Sequence, residues 1–199
     1  MLNRKRVERK ESEGGENMIR YKLTTQNMTT YYGRQKWILG KQETKPEIQK
    51  PTLCSNDVFH FYDSPELAVL LNLIHANIDK PLLFKVSCNE VVHDGVKGGS
   101  TKMKLVKELP LPVFTLNQRV YFSILCAKEI YHSKEWLLWA DNWIANIDRS
   151  KAAADAAAYA AAAAAYVYTA AYAYAAAYAT DRFRNKLKVI IKKVKAFKE

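Results

Sequence analysis

The stretch KAAADAAAYAAAAAAYVYTAAYAYAAAYA, residues 151 to 179, permits fewer structural solutions than any other part of this chain. Alanine has the highest helix propensity of the amino acids. The stretch contains no glycine or proline, and Val167 and Thr169 are its β-branched residues. It therefore predicts one helix of roughly 40 Å, since each helical residue advances the chain by about 1.5 Å.

The tyrosines of this stretch indicate how the helix would pack. At about 100° per residue they project as three pairs in different directions, namely Tyr159 with Tyr166, Tyr168 with Tyr172, and Tyr174 with Tyr178. Because no single face is apolar, we expect a helix that packs in a hairpin or bundle, or against a second copy of the chain. A transmembrane span is disfavoured, because Asp155 lies within the stretch and Leu, Ile and Phe are absent from it.

The composition is that of a folded protein. The chain has 199 residues, 49% hydrophobic and 26% charged, which suffices for one substantial domain or two small ones. Its three cysteines are widely spaced and follow no signal peptide, so we expect reduced thiols in a cytoplasm. The cysteines and histidines lack the close spacing of zinc ligands, and we predict no metal site.

Residues 1 to 17 are predicted to be a disordered extension, because they are almost devoid of large apolar side chains. The segment from Glu13 to Asn17 reads as an in-frame translation of a purine-rich bacterial ribosome-binding site. We therefore expect Met18 to be the true start, and the host cell to be bacterial.

The segment from 18 to 112 is predicted to be a small mixed α/β domain. Ile19, Tyr21 and Leu23 alternate with polar residues, which predicts a first strand. Asp63 or Ser64, followed by Pro65, predicts the start of a helix. Further strands are predicted at 37–39, 58–62, 82–88 and 101–109, with a solvated loop at 41–52 and a glycine-containing hairpin connection at 95–99.

The segment from 113 to 199 is predicted to be helical, which makes the fold class α+β: a small mixed α/β domain followed by an Ala/Tyr-rich hairpin or bundle. Thr115 and Gln118 form a capping-box pattern, and Ser133 is typical of the next helix cap. Asp181 is expected to cap the last helix, where apolar residues recur at 183, 187, 190, 191 and 194.

The positive charge is concentrated in this last helix. The chain carries a formal net charge of +11, and residues 182 to 199 hold eight Lys or Arg and one Glu, which is +7. Such a helix can bind the phosphates of nucleic acid, an anionic membrane or an acidic protein, or it can simply present a solvated face. The candidate binding residues are Arg182, Arg184, Lys186, Lys188, Lys192, Lys193 and Lys195.

Two resemblances bear on origin. Residues 18 to about 112 resemble an uncharacterised family of phages, prophages and bacteria through the motif Trp37-x-x-Gly40-Lys41, the pair Leu53-Cys54, His60 ahead of Pro65, the strand 84–86 and the segment 102–109. The segment from Asp148 onward is similar in composition to the Ala-rich helical domain of bacterial immunity proteins. Neither resemblance implies a known activity.

A fainter resemblance is to ADP-ribosyltransferase-like folds, which bind NAD. It would assign NAD binding to Arg20 or Tyr21 on the first strand and to Tyr62 before the helix. Glu108 would be the carboxylate that stabilises the oxocarbenium-like transition state.

The leading hypothesis is a non-enzymatic accessory protein of a phage or prophage, without a cofactor. It would bind a host macromolecule, with the basic helix on nucleic acid or on an acidic protein surface. The alternative is an NAD-dependent transferase or a degenerate relative of one.

Overall fold

The computed structural model describes residues 18–30, 33–129, 131–150 and 180–198, of which 180–182 are described for their backbone alone. The predicted extension 1–17 and the predicted Ala/Tyr helix 151–179 lie outside the described residues. The described part contains both sheets and helices, which confirms the α+β class.

The strands form antiparallel sheets. They are β1 (Met18–Thr24), β2 (Thr29–Thr30), β3 (Gln35–Lys36), β4 (Gln42–Thr44), β5 (Phe59–Phe61), β6 (Leu82–Cys88), β7 (Val92–His93), β8 (Gly98–Ser100) and β9 (Lys102–Leu109). The main sheet has the order β1-β6-β9-β4, a second has the order β5-β8-β7, and β2 pairs with β3. A backbone bridge between Tyr21 and Tyr62 links β1 to the end of β5.

The helices are α1 (Pro65–Leu70), α2 (Asn72–His75), α3 (Leu116–Ala127), α4 (Lys134–Ile144) and α5 (Thr180–Ala196). The predicted caps of three helices are confirmed. Ser64 accepts a hydrogen bond from the Leu67 backbone N–H, and Ser133 caps α4. Thr115 and Gln118 form the complete capping box of α3. Asp181 lies inside α5, so it is not the cap.

The predicted strand at 37–39 is wrong. Trp37 is 1% exposed and its Nε1 donates to Thr30 Oγ1 at 3.0 Å, whereas Ile38 and Leu39 are exposed. The indole packs edge-on against Phe59, with ring centroids 5.0 Å apart. Residues 37–39 therefore belong to the loop between β3 and β4, and the buried side chain of Trp37 anchors this loop.

Two loop predictions also need correction. Residues 42–44, predicted as solvated loop, form β4 and pair with β9. The predicted glycine connection at 95–99 is not a simple hairpin, because Gly98 and Gly99 belong to β8 and pair with β5 and β7. A Cβ at Gly98 would lie 2.1 Å from Phe61 Cζ. The glycine is thus required because an aromatic ring occupies the space of a side chain.

Each face of the main sheet is covered by a different hydrophobic cluster. Phe84, Val86 and Cys88 of β6 pack with Trp37 and the β5 phenylalanines on one face. Leu83 of the same strand packs on the other face, in a cluster that includes residues of α1, α3 and α5. This arrangement places the C-terminal helix on the body of the sheet domain, in one shared core. The predicted division of the chain into two domains at residue 112 stays a prediction.

Candidate nucleic-acid interface

Helix α5 is amphipathic as predicted. Leu187, Ile190, Ile191 and Val194 are all less than 9% exposed and lie in the cluster shared with α1 and α3. Gln118 Nε2 on α3 also donates to the carbonyl oxygen of Val194 at 3.3 Å. Because this face is buried, the position of each basic residue around α5 decides whether its side chain contacts the rest of the fold or is exposed.

Arg184 forms ion pairs within the fold. Its guanidinium donates to both oxygens of Asp63, at 2.8 and 3.0 Å, and to both oxygens of Glu90, at 3.1 Å each. Arg20 reaches the same carboxylates, with Nε 3.1 Å from Asp63 and Nη2 3.3 Å from Glu90. The arginine that the sequence analysis assigned to a binding partner therefore joins α5 to the loops that follow β5 and β6.

His93 completes this cluster of ionic groups. Its Nδ1 accepts the Gly95 backbone N–H at 2.8 Å, so its proton is on Nε2, 3.5 Å from Asp63 Oδ1. Burial opposes ionisation of Asp63, but hydrogen bonds from His93 and Arg184 outweigh it and hold the pKa of Asp63 well below its usual range.

A metal ion fits this cluster poorly. Asp63, Glu90 and His93 bring ligand atoms within 4.8 Å of one another, a spacing that a cation could span. However, both carboxylates are already paired with the guanidinium groups of Arg20 and Arg184. A divalent cation would have to displace these pairs and approach two positive charges. The arrangement fits an ion-pair network that positions α5.

Two lysines of α5 also pair with neighbouring helices. Lys195 Nζ donates to Glu66 Oε1 of α1 at 2.8 Å, and Lys186 forms an ion pair with Glu129, just after α3. These contacts are partly exposed, so each contributes little to stability. Their effect is to reduce the charge available to a partner.

The remaining lysines of α5 are exposed. Lys188, Lys192 and Lys193 form no ion pair with any residue that the structure describes, and Lys188 Nζ has an amide acceptor, Asn185 Oδ1, at 3.4 Å. Lys188 and Lys192 lie one turn apart on the helix, about 6 Å along its axis. We call these three residues the α5 lysine face. Arg182 was also predicted to bind a partner, and its side chain lies outside the described residues.

The residues assigned to the transferase hypothesis lie apart. Arg20 belongs to the ionic cluster, with its guanidinium carbon 5.6 Å from the centroid of the Phe61 ring. Tyr62 lines a cleft beside β1, and Arg20, Tyr21 and Glu108 are not among the residues that line it. Glu108 is exposed near the end of β9, opposite Phe84. The NAD-binding role of these four residues stays a prediction.

Sequence reasoning missed both the carboxylates that bind Arg184 and the cleft. Asp63 was noted as a possible helix cap, whereas Ser64 fills that role and leaves Asp63 free to bind arginine. Glu90 lies in a short loop with no local motif. The residues of the cleft come from separate segments, and no sequence spacing could have brought them together.

Comparison of the chain with protein-family models, curated proteins and solved structures finds no match. The resemblance to a phage family therefore stays a prediction. In the part of the chain that the structure describes, no helix combines the length and the hydropathy needed to cross a bilayer.

Proposed function

We propose that this protein is a non-enzymatic nucleic-acid-binding protein that contacts phosphates through the α5 lysine face. The observation that carries the proposal is that these three ammonium groups are exposed, lie on one helix and have no carboxylate partner among the described residues. The helix itself is held rigidly by its buried face and by the Arg184 ion pairs. Fixed positive charges on the exposed side of one helix are suited to a partner with repeated negative charge.

Nucleic acid is the partner that we propose for this surface, and an acidic protein is the alternative. Lysine binds phosphate as a point charge without the bidentate geometry of arginine, and the α5 lysine face contains no arginine. Binding by such contacts is independent of base sequence, since phosphates carry no sequence information. We therefore expect low sequence specificity and a strong dependence on salt concentration.

Fluorescence anisotropy of labelled single- and double-stranded DNA and RNA tests the proposal. We expect the full chain to bind, with log K falling linearly in log salt. The variant Lys188→Gln/Lys192→Gln/Lys193→Gln should bind more weakly. Its slope should be smaller by about 2 to 3, because each lost phosphate contact contributes roughly 0.9 on a duplex or 0.7 on a single strand.

A matched control removes the same charge elsewhere. Lys50, Lys102 and Lys107 are also exposed, and their triple change to Gln should leave the slope almost unchanged. Equal losses in both variants would show that net charge alone governs binding, and would refute a site on α5. Absence of binding by the unaltered chain would refute the function itself, and an acidic polypeptide would then be the next partner to titrate.

A further inference from the structure

A cleft with a volume of about 560 Å³ lies beside β1, an edge strand of the main sheet. Its wall is formed by residues of β1, by the loops at 33–35 and 54–56, by β5, and by the turn at 75–79. This volume falls within the range of roughly 300 to 1,000 Å³ that is usual for small-molecule sites. The cleft does not include the α5 lysine face.

Positive side chains converge on this cleft. Four Lys and Arg residues line it, against one acidic residue, Asp79, among the described lining residues; the four are Lys22, Arg34, Lys45 and Lys97. None of the four forms an ion pair with a described residue. Lys45 Nζ lies 5.0 Å from the centroid of the Phe59 ring, and Lys97 Nζ donates to Cys54 Sγ at 3.0 Å. These ammonium groups therefore remain available to an anionic ligand.

Lys22 is the most unusual member of the set, because it is 6% exposed yet charged. Its Nζ donates to the carbonyl oxygen of His60 at 3.0 Å and lies 5.1 Å from the centroid of the Trp37 ring. No other acceptor for this ammonium group occurs among the described residues. Burial lowers the pKa of Lys22 to about 8, so the side chain is still mainly protonated at neutral pH. A buried ammonium group without a carboxylate is costly unless an anion binds nearby.

Two neutral histidines line the same cleft. His60 Nε2 accepts the Cys54 backbone N–H at 2.9 Å, so this nitrogen carries no proton. Burial and the charges of nearby lysines lower the pKa of His60 to about 3. In the same way burial, followed by the charge of Lys97, lowers the pKa of His75 to about 4. The Tyr62 hydroxyl is hydrogen-bonded to His75 Nδ1 at 3.1 Å, and burial raises the pKa of that hydroxyl. Among the described lining residues, positive side chains thus outnumber the one carboxylate, Asp79, and the histidines add no charge at neutral pH.

The rest of the wall is mixed: polar residues such as Gln35, Ser55 and Asn77 line it beside an apolar part. Leu23, Val58 and Phe59 are buried behind the surface of the cleft, and Ala76 and Ile78 line it from the turn after α2. A ligand that combines an anionic part with an apolar part suits the lysines and the apolar part of this wall. Inorganic phosphate has the first part alone, and a nucleoside has the second alone.

We propose that this cleft is a nucleotide-binding site, in which Lys22, Lys45 and Lys97 hold the phosphates and the apolar part of the wall holds the base. This site is independent of the proposed nucleic-acid interface on α5. It takes a small free ligand, whereas the α5 lysine face takes a polymer. The two sites share no residue, so variants can disable each one separately.

The four histidines of the chain provide an internal control for a test by NMR. His60 and His75 line the cleft, whereas His93 lies in the ionic cluster and His132 is exposed outside the cleft. We would record the ring C–H signals of the full chain, assign them with single His→Gln variants, and titrate ADP, pyrophosphate and adenosine. ADP is expected to shift the signals of His60 and His75 in a saturable manner and to leave the other two unchanged.

The competing ligands and variants decide the result. Lys45→Gln/Lys97→Gln should weaken ADP binding at least tenfold, whereas Lys102→Gln/Lys107→Gln, which removes the same charge outside the cleft, should not. The Lys188→Gln/Lys192→Gln/Lys193→Gln variant should bind ADP normally. Failure of the nucleotide proposal is therefore distinguishable from failure of the nucleic-acid proposal. Unshifted cleft histidines, or ADP affinity insensitive to Lys45→Gln/Lys97→Gln, would overturn the assignment. Pyrophosphate binding as tight as that of ADP would overturn the nucleotide as ligand.

Discussion

Acidification from pH 7 to pH 5 is expected to destabilise the folded protein through the two histidines of the cleft. The pKa of His60 is lowered to about 3 and that of His75 to about 4, in both cases by burial first and by lysine charge second. In an unfolded chain each imidazole titrates near 6.5. At a pH between the folded and the unfolded pKa values, the unfolded state binds protons that the folded state does not bind. The stabilisation is therefore complete above about pH 6.5 and is lost as the pH falls below it.

The size of the effect follows from the same values. At pH 5 each unfolded histidine is about 1.5 pH units below its pKa, while its folded counterpart is still largely neutral. At about 1.4 kcal/mol per pH unit, the partly buried His60 costs about 2 kcal/mol of unfolding free energy, and His75 costs less, because it is exposed and solvent screens its charge. Lys22 adds no pH dependence in this range, because its folded pKa of about 8 keeps it protonated in both states.

Urea unfolding at pH 7 and at pH 5 measures this difference, provided that the m-value does not change. In His60→Gln, the loss of stability on acidification should shrink by about 2 kcal/mol relative to the unaltered chain, and in His75→Gln it should shrink by less, because His75 is exposed. His132→Gln is the control, because that side chain is exposed and lies outside the cleft, and its loss should equal that of the unaltered chain. The same pH-dependent loss in all four proteins would refute the reasoning, because other groups would then be responsible for it.

Three further predictions concern the fold. Arg184→Met should lower the unfolding free energy by about 1 to 3 kcal/mol in urea unfolding, because two partly buried carboxylates would lose one arginine partner while Arg20 remains. Gly98→Ala should cost about 1 to 3 kcal/mol in the same assay through overlap with Phe61, and a second change, Phe61→Leu, should recover part of this loss. Of the three free thiols, Cys54 is exposed and should react rapidly with a thiol reagent, whereas burial raises the pKa of the other two to about 12, and they should react after unfolding.

The local structure was largely predictable from the sequence. The strands at 19–23 and 82–88, the Thr115 capping box and the apolar face of α5 all appear where the patterns predicted them, although Ile19 is exposed and Lys22 is buried. These features depend on residues two to four positions apart, and the backbone geometry of a strand or a helix brings such residues together in any fold. The failure at Trp37 has the opposite cause, because a tertiary contact with Phe59 decides its burial.

The tertiary structure alone decided which charges are available to a partner. Arg184 and Asp63 are 121 positions apart, and Lys195 and Glu66 are 129 apart. No local pattern could therefore show that these two basic side chains are already paired. The cleft likewise draws its lysines and histidines from segments that lie far apart along the chain. The sequence determined that the C-terminal helix is basic and amphipathic. Packing determined which lysines remain free, because an ion pair requires two side chains to meet in space, and long-range contacts set that distance.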